Sequence, residues 1–327
     1  APHLAELGQR PGTEELLSDL YLLERLCRAA EAEVSAVTGR PDTVGAALLG
    51  VLGRRLKSGG DRMIDHRLVF VGGLHRSGTT PLTRCLAAHA QISGFAGTGV
   101  EEDEGQHLQT VYPPARAHGG PGRFALSPAA HLTETSPLLT PDTATLLLQQ
   151  WSPHWDMSRP VLVEKSPPNL LMTRFLQGAF PEARFVMVVR HPAIVSLSTR
   201  KWARLRSLGA LLDHWFAAHR TFEEDAAFLH QLLVVKYERL VTDPGATLAE
   251  IAAFLELNGE IPADSIDTRR SATYERQWSE LATGGPWRRE RFRSLCRRHE
   301  DAANHFGYSL LDLDRADPFP VGSTRPS

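Results

Sequence analysis

One short apolar run that stops in glycine constrains this chain more than any other feature. Leu68-Val69-Phe70-Val71 gives way to Gly72-Gly73-Leu74-His75-Arg76-Ser77-Gly78-Thr79-Thr80, and Pro81 then sits at a favourable first-turn position of a helix. The spacing of Gly73 and Gly78 matches the phosphate loop G-x-x-x-x-G-K-S/T, except that Thr79 stands where the lysine belongs. A strand, a glycine loop and a helix start offer backbone N–H groups and a positive helix end to a phosphate. Without the lysine, no ammonium reaches between the β- and γ-phosphates of a nucleoside triphosphate. The cation has moved inside the loop, to Arg76. The spacing therefore predicts a phosphate-binding strand–loop–helix, with a tight glycine turn and an incidental arginine as the alternative, and it argues against ATP hydrolysis.

Three further apolar runs follow, at Val161-Leu162-Val163, Phe185-Val186-Met187-Val188-Val189 and Leu232-Leu233-Val234-Val235. None alternates with polar residues, as expected of strands buried on both faces. Helical patterns lie between them, from Pro81 to His89, Asn169 to Phe180, Ala193 to Arg206 and Ala210 to Phe228. This alternation predicts an α/β fold, a P-loop-like parallel β-sheet flanked by helices. Such sheets bind ligands beyond the carboxyl ends of their strands. Arg190 follows the third of the four runs directly, and Pro192 opens a helix in which Ser198 lies two turns along. An arginine and a hydroxyl meeting there would hold an isolated phosphate, although an arginine at the sheet end and a solvated serine fit the same spacing.

Composition bounds the function. The chain has 327 residues with 36 Lys+Arg against 38 Asp+Glu, 42% hydrophobic and 23% charged. The near-balance argues against a nucleic-acid binder, and the apolar content suffices for a large core. Cys27, Cys85 and Cys296 are far apart and form neither a disulfide framework nor a zinc site. The first residues lack the basic and apolar regions of a signal peptide, and no apolar stretch nears the roughly 18 residues of a membrane span. A cytoplasmic chain without membrane insertion is expected, its numbering beginning inside a longer chain because the initial Met is missing. Leucines at helical spacing predict helices from Thr13 to Val37 and from Thr43 to Leu56, an N-terminal appendage over residues 1–66. A catalytic domain over 67–314 and a frayed Pro-rich tail over 315–327 complete the expected organisation. The stretch Tyr112 to Gly122 reads as a Pro/Gly-rich loop, a lid or a plain connection.

The GxxRSGTT loop after the first strand, with an arginine followed eight positions later by serine, resembles the sulfotransferases that use 3′-phosphoadenosine 5′-phosphosulfate (PAPS). The RSGTT form is most similar to the tyrosylprotein-type and bacterial branch. The resemblance covers roughly residues 68–257. It implies that Arg76, Ser77, Gly78, Thr79 and Thr80 hold the 5′-phosphosulfate and that Arg190 and Ser198 hold the 3′-phosphate. Val163-Glu164-Lys165-Ser166-Pro167 is similar to a family segment whose lysine reaches the transferring sulfonate, so Lys165 and Arg76 are expected to stabilise that group. Lys236-Tyr237-Glu238-Arg239 is similar to a segment whose tyrosine, here Tyr237, approaches the nucleotide.

The proton of the acceptor hydroxyl needs a base. The segment Gly99-Val100-Glu101-Glu102-Asp103-Glu104-Gly105-Gln106-His107 follows the first helix, where relatives place a glutamate and sometimes a histidine. Extra residues interrupt the family spacing here. Glu104 is the first choice, then His107, then Glu102, with Glu101 also open. The basic cluster from Trp287 to Arg293 either closes over the 3′-phosphate or is a solvated helix face. The expected activity is sulfonate transfer from PAPS to a small-molecule alcohol or phenol, leaving 3′,5′-adenosine bisphosphate (PAP), with no metal required. The rivals are a small-molecule kinase, which needs a loop lysine, and a nucleotide-binding module without catalysis. Acceptor identity and oligomeric state are not encoded in any motif.

Overall fold

The four apolar runs all form strands of one parallel sheet. The structure, a computed structural model, describes residues 66–320 apart from 204 and 270. The helices expected over residues 13–37 and 43–56 lie outside the described residues, as does Cys27. Strands β1 (Arg67–Gly72), β2 (Ile92–Gly94), β3 (Val161–Lys165), β4 (Arg184–Val189) and β5 (Leu232–Lys236) take the order β2-β3-β1-β4-β5. Every pairing among them is parallel. β2 has only three residues, Ile92-Ser93-Gly94, too short for a sequence pattern to announce it.

Side chains of each strand alternate between two cores. Leu68 and Phe70 face a cluster with Trp151, Phe180 and Phe185. Val69 and Val71 face another with Leu82, Leu86, Val163, Val186 and Ile251. Both faces are covered, which explains the missing polar alternation. Each such side chain contributes about 1.5–3 kcal/mol by leaving water.

The helices among the described residues are α1 (Thr79–Ala87), α2 (Thr143–Trp151), α3 (Thr173–Ala179), α4 (Pro192–Thr199), α5 (Leu208–Ala226), α6 (Tyr237–Thr242), α7 (Pro244–Phe254), α8 (Ala272–Thr283) and α9 (Pro286–His305). Two differ from expectation. The helix predicted from Asn169 begins as a 3-10 turn at Pro167–Leu171, and α3 starts only at Thr173. The helix predicted through Arg206 stops at Thr199, and Ser207, which accepts the Ala210 amide at 3.1 Å, caps a new helix. Arg200, Lys201 and Trp202 form a turn after the first helix.

β1 has β3 and β2 on one side and β4 and β5 on the other, and the chain leaves β1 toward β2 but leaves β4 toward β5. The crevice of such a sheet opens where those connections diverge, between the ends of β1 and β4. Register places Val71 opposite Lys165 and Gly72 opposite Met187, so the strands end at nearly the same level. The described part of the Pro-rich tail, residues 315–320, is packed and not the frayed end expected, while residues 321–327 lie outside the described residues. Asp317 donates its amide to the Gly307 carbonyl at 2.7 Å, and Phe319, 6% exposed, stacks on Phe306 with ring centres 5.3 Å apart. One aromatic side chain with an apolar slot suffices to anchor a segment that proline keeps out of regular pairing. No helix among the described residues is long and apolar enough to cross a membrane.

Candidate functional site

The loop after β1 is shaped by close approach. Gly73 has φ 146° and Gly78 has φ 106°. A Cβ at Gly73 would stand 2.4 Å from the Val188 carbonyl oxygen, and one at Gly78 would stand 2.3 Å from Cδ2 of Tyr237. Glycine is therefore demanded twice, by the backbone conformation and by lack of room. Arg76 also adopts a left-handed conformation, φ 72°, without being glycine. Such backbone costs on the order of 1–3 kcal/mol and persists where its surroundings hold it. Here the holder is Arg190, whose Nη1 donates to the Arg76 carbonyl at 2.9 Å.

Arg190 sits just beyond β4 and is nearly buried. Its guanidinium lies 4.0 Å above the ring of Tyr237, its Nη2 donates to Ser271 Oγ at 2.7 Å, and its Nε has no partner among the described residues. Tyr237 thus packs against both Gly78 and Arg190, so one ring joins the loop after β1 to the end of β4. Ser77, 1% exposed, donates its amide to the Leu74 carbonyl at 2.9 Å, while its buried hydroxyl has no partner among the described residues.

A cleft of about 1000 Å³, open to solvent, lies over these loops. Arg76, Gly78, Thr79, Thr80, Arg190 and Tyr237 line it, and so do Glu101, Glu102, Glu104 and His107 from the acidic segment. Lys165, the last residue of β3, is 4% exposed at its edge. Its Nζ donates to Glu104 Oε1 at 3.1 Å and to the Glu102 carbonyl at 2.9 Å. Gln106 Nε2 donates to the other carboxylate oxygen of Glu104 at 2.5 Å, and His107 Nε2 lies 4.0 Å from that oxygen. Burial raises the Glu104 pKa, an effect that Lys165 and Gln106 partly offset. Burial and the Arg116 charge lower that of His107, so its imidazole stays neutral at pH 7. The arrangement pairs a buried carboxylate of increased basicity with a cation, beside a cleft lined by Arg76, Arg84, Arg116 and Arg190.

Predicted residues divide accordingly. The structure brings together Arg76, Gly78, Thr79, Thr80, Arg190, Tyr237, Glu104 and His107 around one cleft, and Lys165, which is not a lining residue, meets it through its ion pair with Glu104. Ser198 is not among the lining residues; it is 2% exposed and its hydroxyl donates to the Val195 carbonyl at 3.1 Å. Glu102 meets Thr80 at 3.4 Å and Glu101 is exposed on the rim. Asp103 accepts the Thr98 amide and hydroxyl at 2.8 and 2.6 Å and so shapes its own turn. The arginines from Arg288 to Arg293 are exposed along α9 and do not line the cleft. The Tyr112 to Gly122 stretch is an ordered wall: Tyr112 is buried, Ala115 donates its amide to Gln106 Oε1 at 2.8 Å, and Ala115, Arg116 and Pro121 line the cleft.

Sequence reasoning passes over Gln106, Ser271, Trp202 and His75. Gln106 lies inside the acidic segment, and its position two residues after Glu104 is the one signal available. His75 lies inside the loop motif itself. Ser271 and Trp202 reach the site through tertiary packing alone.

The model described as the sulfotransferase family matches residues 69–260. Protein-tyrosine sulfotransferase 2 of Gallus gallus is 26% identical over 202 residues, which is 58% of this chain and 51% of that relative, so the chain spans about half the relative's length. Among solved structures, a sulfotransferase from Mycobacterium avium is 14% identical, with 95% of this chain and 90% of that chain covered and a TM-score of 0.40. One from Alicyclobacillus acidocaldarius is 15% identical, with 67% and 95% covered and a TM-score of 0.40.

Proposed function

The chain belongs to the sulfotransferase family, and on that premise we propose that it moves a sulfonate group from PAPS to an acceptor hydroxyl. The observation that carries this reading is the Lys165–Glu104 pair, 3.1 Å apart and both nearly buried, beside the cleft that Arg76 and Arg190 line. A carboxylate and cations around one cleft suit a reaction that removes a proton and gathers anionic charge. The donor set fits the group: two arginines, a lysine, two threonine hydroxyls at a helix start, and a buried Ser77 hydroxyl and Arg190 Nε that lack partners. When bound, PAPS would supply the sulfonate, with PAP as the leaving part.

The chain's own residues divide the work. Gly78, Thr79 and Thr80 offer amides and hydroxyls at the start of α1, and Ser77 supports the same loop. Arg76 and Lys165 hold positive charge where the transferring group sits. Arg190 binds the 3′-phosphate, with Tyr237 fixing the plane of its guanidinium. Ser198 joins it only when its hydroxyl leaves the Val195 carbonyl. Glu104 accepts the acceptor proton at Oε2 or Oε1, kept ionised by Lys165 and made more basic by burial. His107 is the second choice for the same step. The acceptor class is a small-molecule alcohol or phenol, and the protein is expected to act in the cytoplasm without a metal.

Radiolabelled PAPS offered to a panel of alcohols and phenols tests the reading. Label transfer is expected, and it should fall by about 100-fold or more in Lys165→Ala and in Glu104→Gln if each supplies a preorganised charge. Undiminished transfer in both variants would defeat these assignments.

A further inference from the structure

The break after Thr199 has a consequence at the cleft. A continuous helix would carry Trp202 along its flank; instead the residue stands on a turn, 57% exposed, and lines the cleft. The Arg76 guanidinium carbon lies 5.0 Å from the centre of its ring. Among the described residues, no carboxylate comes within ion-pairing distance of Arg76, so its side chain is oriented by the Trp202 indole together with the Tyr274 phenol, which hydrogen-bonds it. Tyr274 of α8 acts on the same guanidinium. It is 7% exposed, and the Lys201 ammonium lies 5.1 Å from its ring centre. Burial alone would raise its phenol, yet Lys201 and then Arg76 hold it below the ordinary value.

An arginine side chain holds about 2 kcal/mol of rotamer entropy. Fixing it with a carboxylate would neutralise the charge an anion needs, whereas an aromatic face orients the guanidinium and leaves that charge available. The backbone of Arg76 is fixed already by Arg190, through the carbonyl. Its side chain needs a second holder.

We propose that Trp202 is a positioning residue, whose indole face keeps the Arg76 guanidinium in place for the anionic cofactor before the cofactor binds. This rests on the reading of Arg76 as a cofactor cation. Trp202 acts through Arg76 and not on the sulfonate. Its exposure on a turn means that replacing it removes little buried area, so the variants should fold.

The test is a double-mutant cycle on PAPS kinetics and PAP binding, using Trp202→Ala, Trp202→Phe, Arg76→Ala and the Trp202→Ala/Arg76→Ala pair. Trp202→Ala should lower kcat/KM for PAPS and weaken PAP binding by about tenfold, the scale of a partly desolvated cation–aromatic contact. Trp202→Phe should recover most of that loss, and KM for the acceptor should not move. In the Arg76→Ala background, removing Trp202 should cost less than about twofold, because coupled residues are not additive. A full second tenfold loss there would overturn the proposal by showing that the indole meets a ligand directly. Unchanged kcat/KM in Trp202→Ala alongside a damaged Arg76→Ala enzyme would overturn it while leaving Arg76 in its role. An Arg76→Ala enzyme indistinguishable from the parent in both measurements would remove the underlying reading.

Discussion

Gly78 has no room for a side chain, and the ring of Tyr237 is the reason. The same ring faces the Arg190 guanidinium, so a methyl group at Gly78 disturbs both phosphate loops through one residue. Gly78→Ala should cost about 1–3 kcal/mol from its left-handed backbone alone, and PAP affinity should fall with it. Thermal denaturation and calorimetry on the purified variant check both; a stable Gly78→Ala protein with unchanged PAP affinity would contradict the packing account. Residues of this kind were legible in the sequence to different degrees. Gly78, Arg76 and Thr79 stand in a fixed-spacing loop that local chemistry reveals. Ser271 was invisible, since it reaches Arg190 across 81 positions by folding alone. Ser198 is a different case: its helical spacing was legible, but spacing does not show that its hydroxyl turns to the Val195 carbonyl.

At the scale of elements, the end of β3 organises the acidic segment. Lys165 goes to Glu104, while Glu164 beside it is fully buried and accepts hydrogen bonds from Ser166 Oγ and Asn169 Nδ2, each at 2.5 Å. Ser166 in turn accepts the Gln106 amide at 2.9 Å, so a strand end fixes the turn that carries Glu104. Burial pushes the Glu164 carboxyl up to about 7, against the pull of Ser166 and Asn169. A carboxyl raised in the folded state binds more protons folded than unfolded between its two pKa values. Its contribution is therefore present below about pH 4.3 and lost as pH rises through about 7. Against a Glu164→Gln variant, the parent should lose on the order of 3 kcal/mol between those limits. Urea unfolding of both proteins near pH 5 and pH 7.5 measures it; a stability difference that ignores pH would contradict the buried acid. Strands were the readable elements, because burial on both faces leaves unbroken apolar runs. Helix ends were not, since apolar spacing continues past Thr199 while a separate helix capped by Ser207 begins at Leu208, a division that periodicity alone does not show.

At the scale of the whole molecule, four imidazoles among the described residues are buried in the neutral form. Burial first, and nearby charges next, lower His75, His214 and His219 to about 3, and burial lowers His191 to about 4. The unfolded chain takes up these protons near the model-peptide pKa of about 6.5, so stability is lost as pH falls below that value. Each histidine contributes about 1.4 kcal/mol per pH unit in that range, and Glu164 opposes with one similar slope. The urea midpoint should therefore drop clearly between about pH 7 and pH 5.5 with the m-value unchanged; a flat midpoint would show that these rings are charged or solvated. The neutral overall charge hides its sorting, with Arg76, Lys165 and Arg190 gathered at strand ends and carboxylates along one rim. That gathering suits a small polyanionic cofactor, and it leads to the most direct measurement. Calorimetric titration without added Mg²⁺ should show tight binding of 3′,5′-adenosine bisphosphate and weak binding of ATP. The reverse preference, ATP tight and the bisphosphate weak, would contradict the reading of this cleft as a PAPS site.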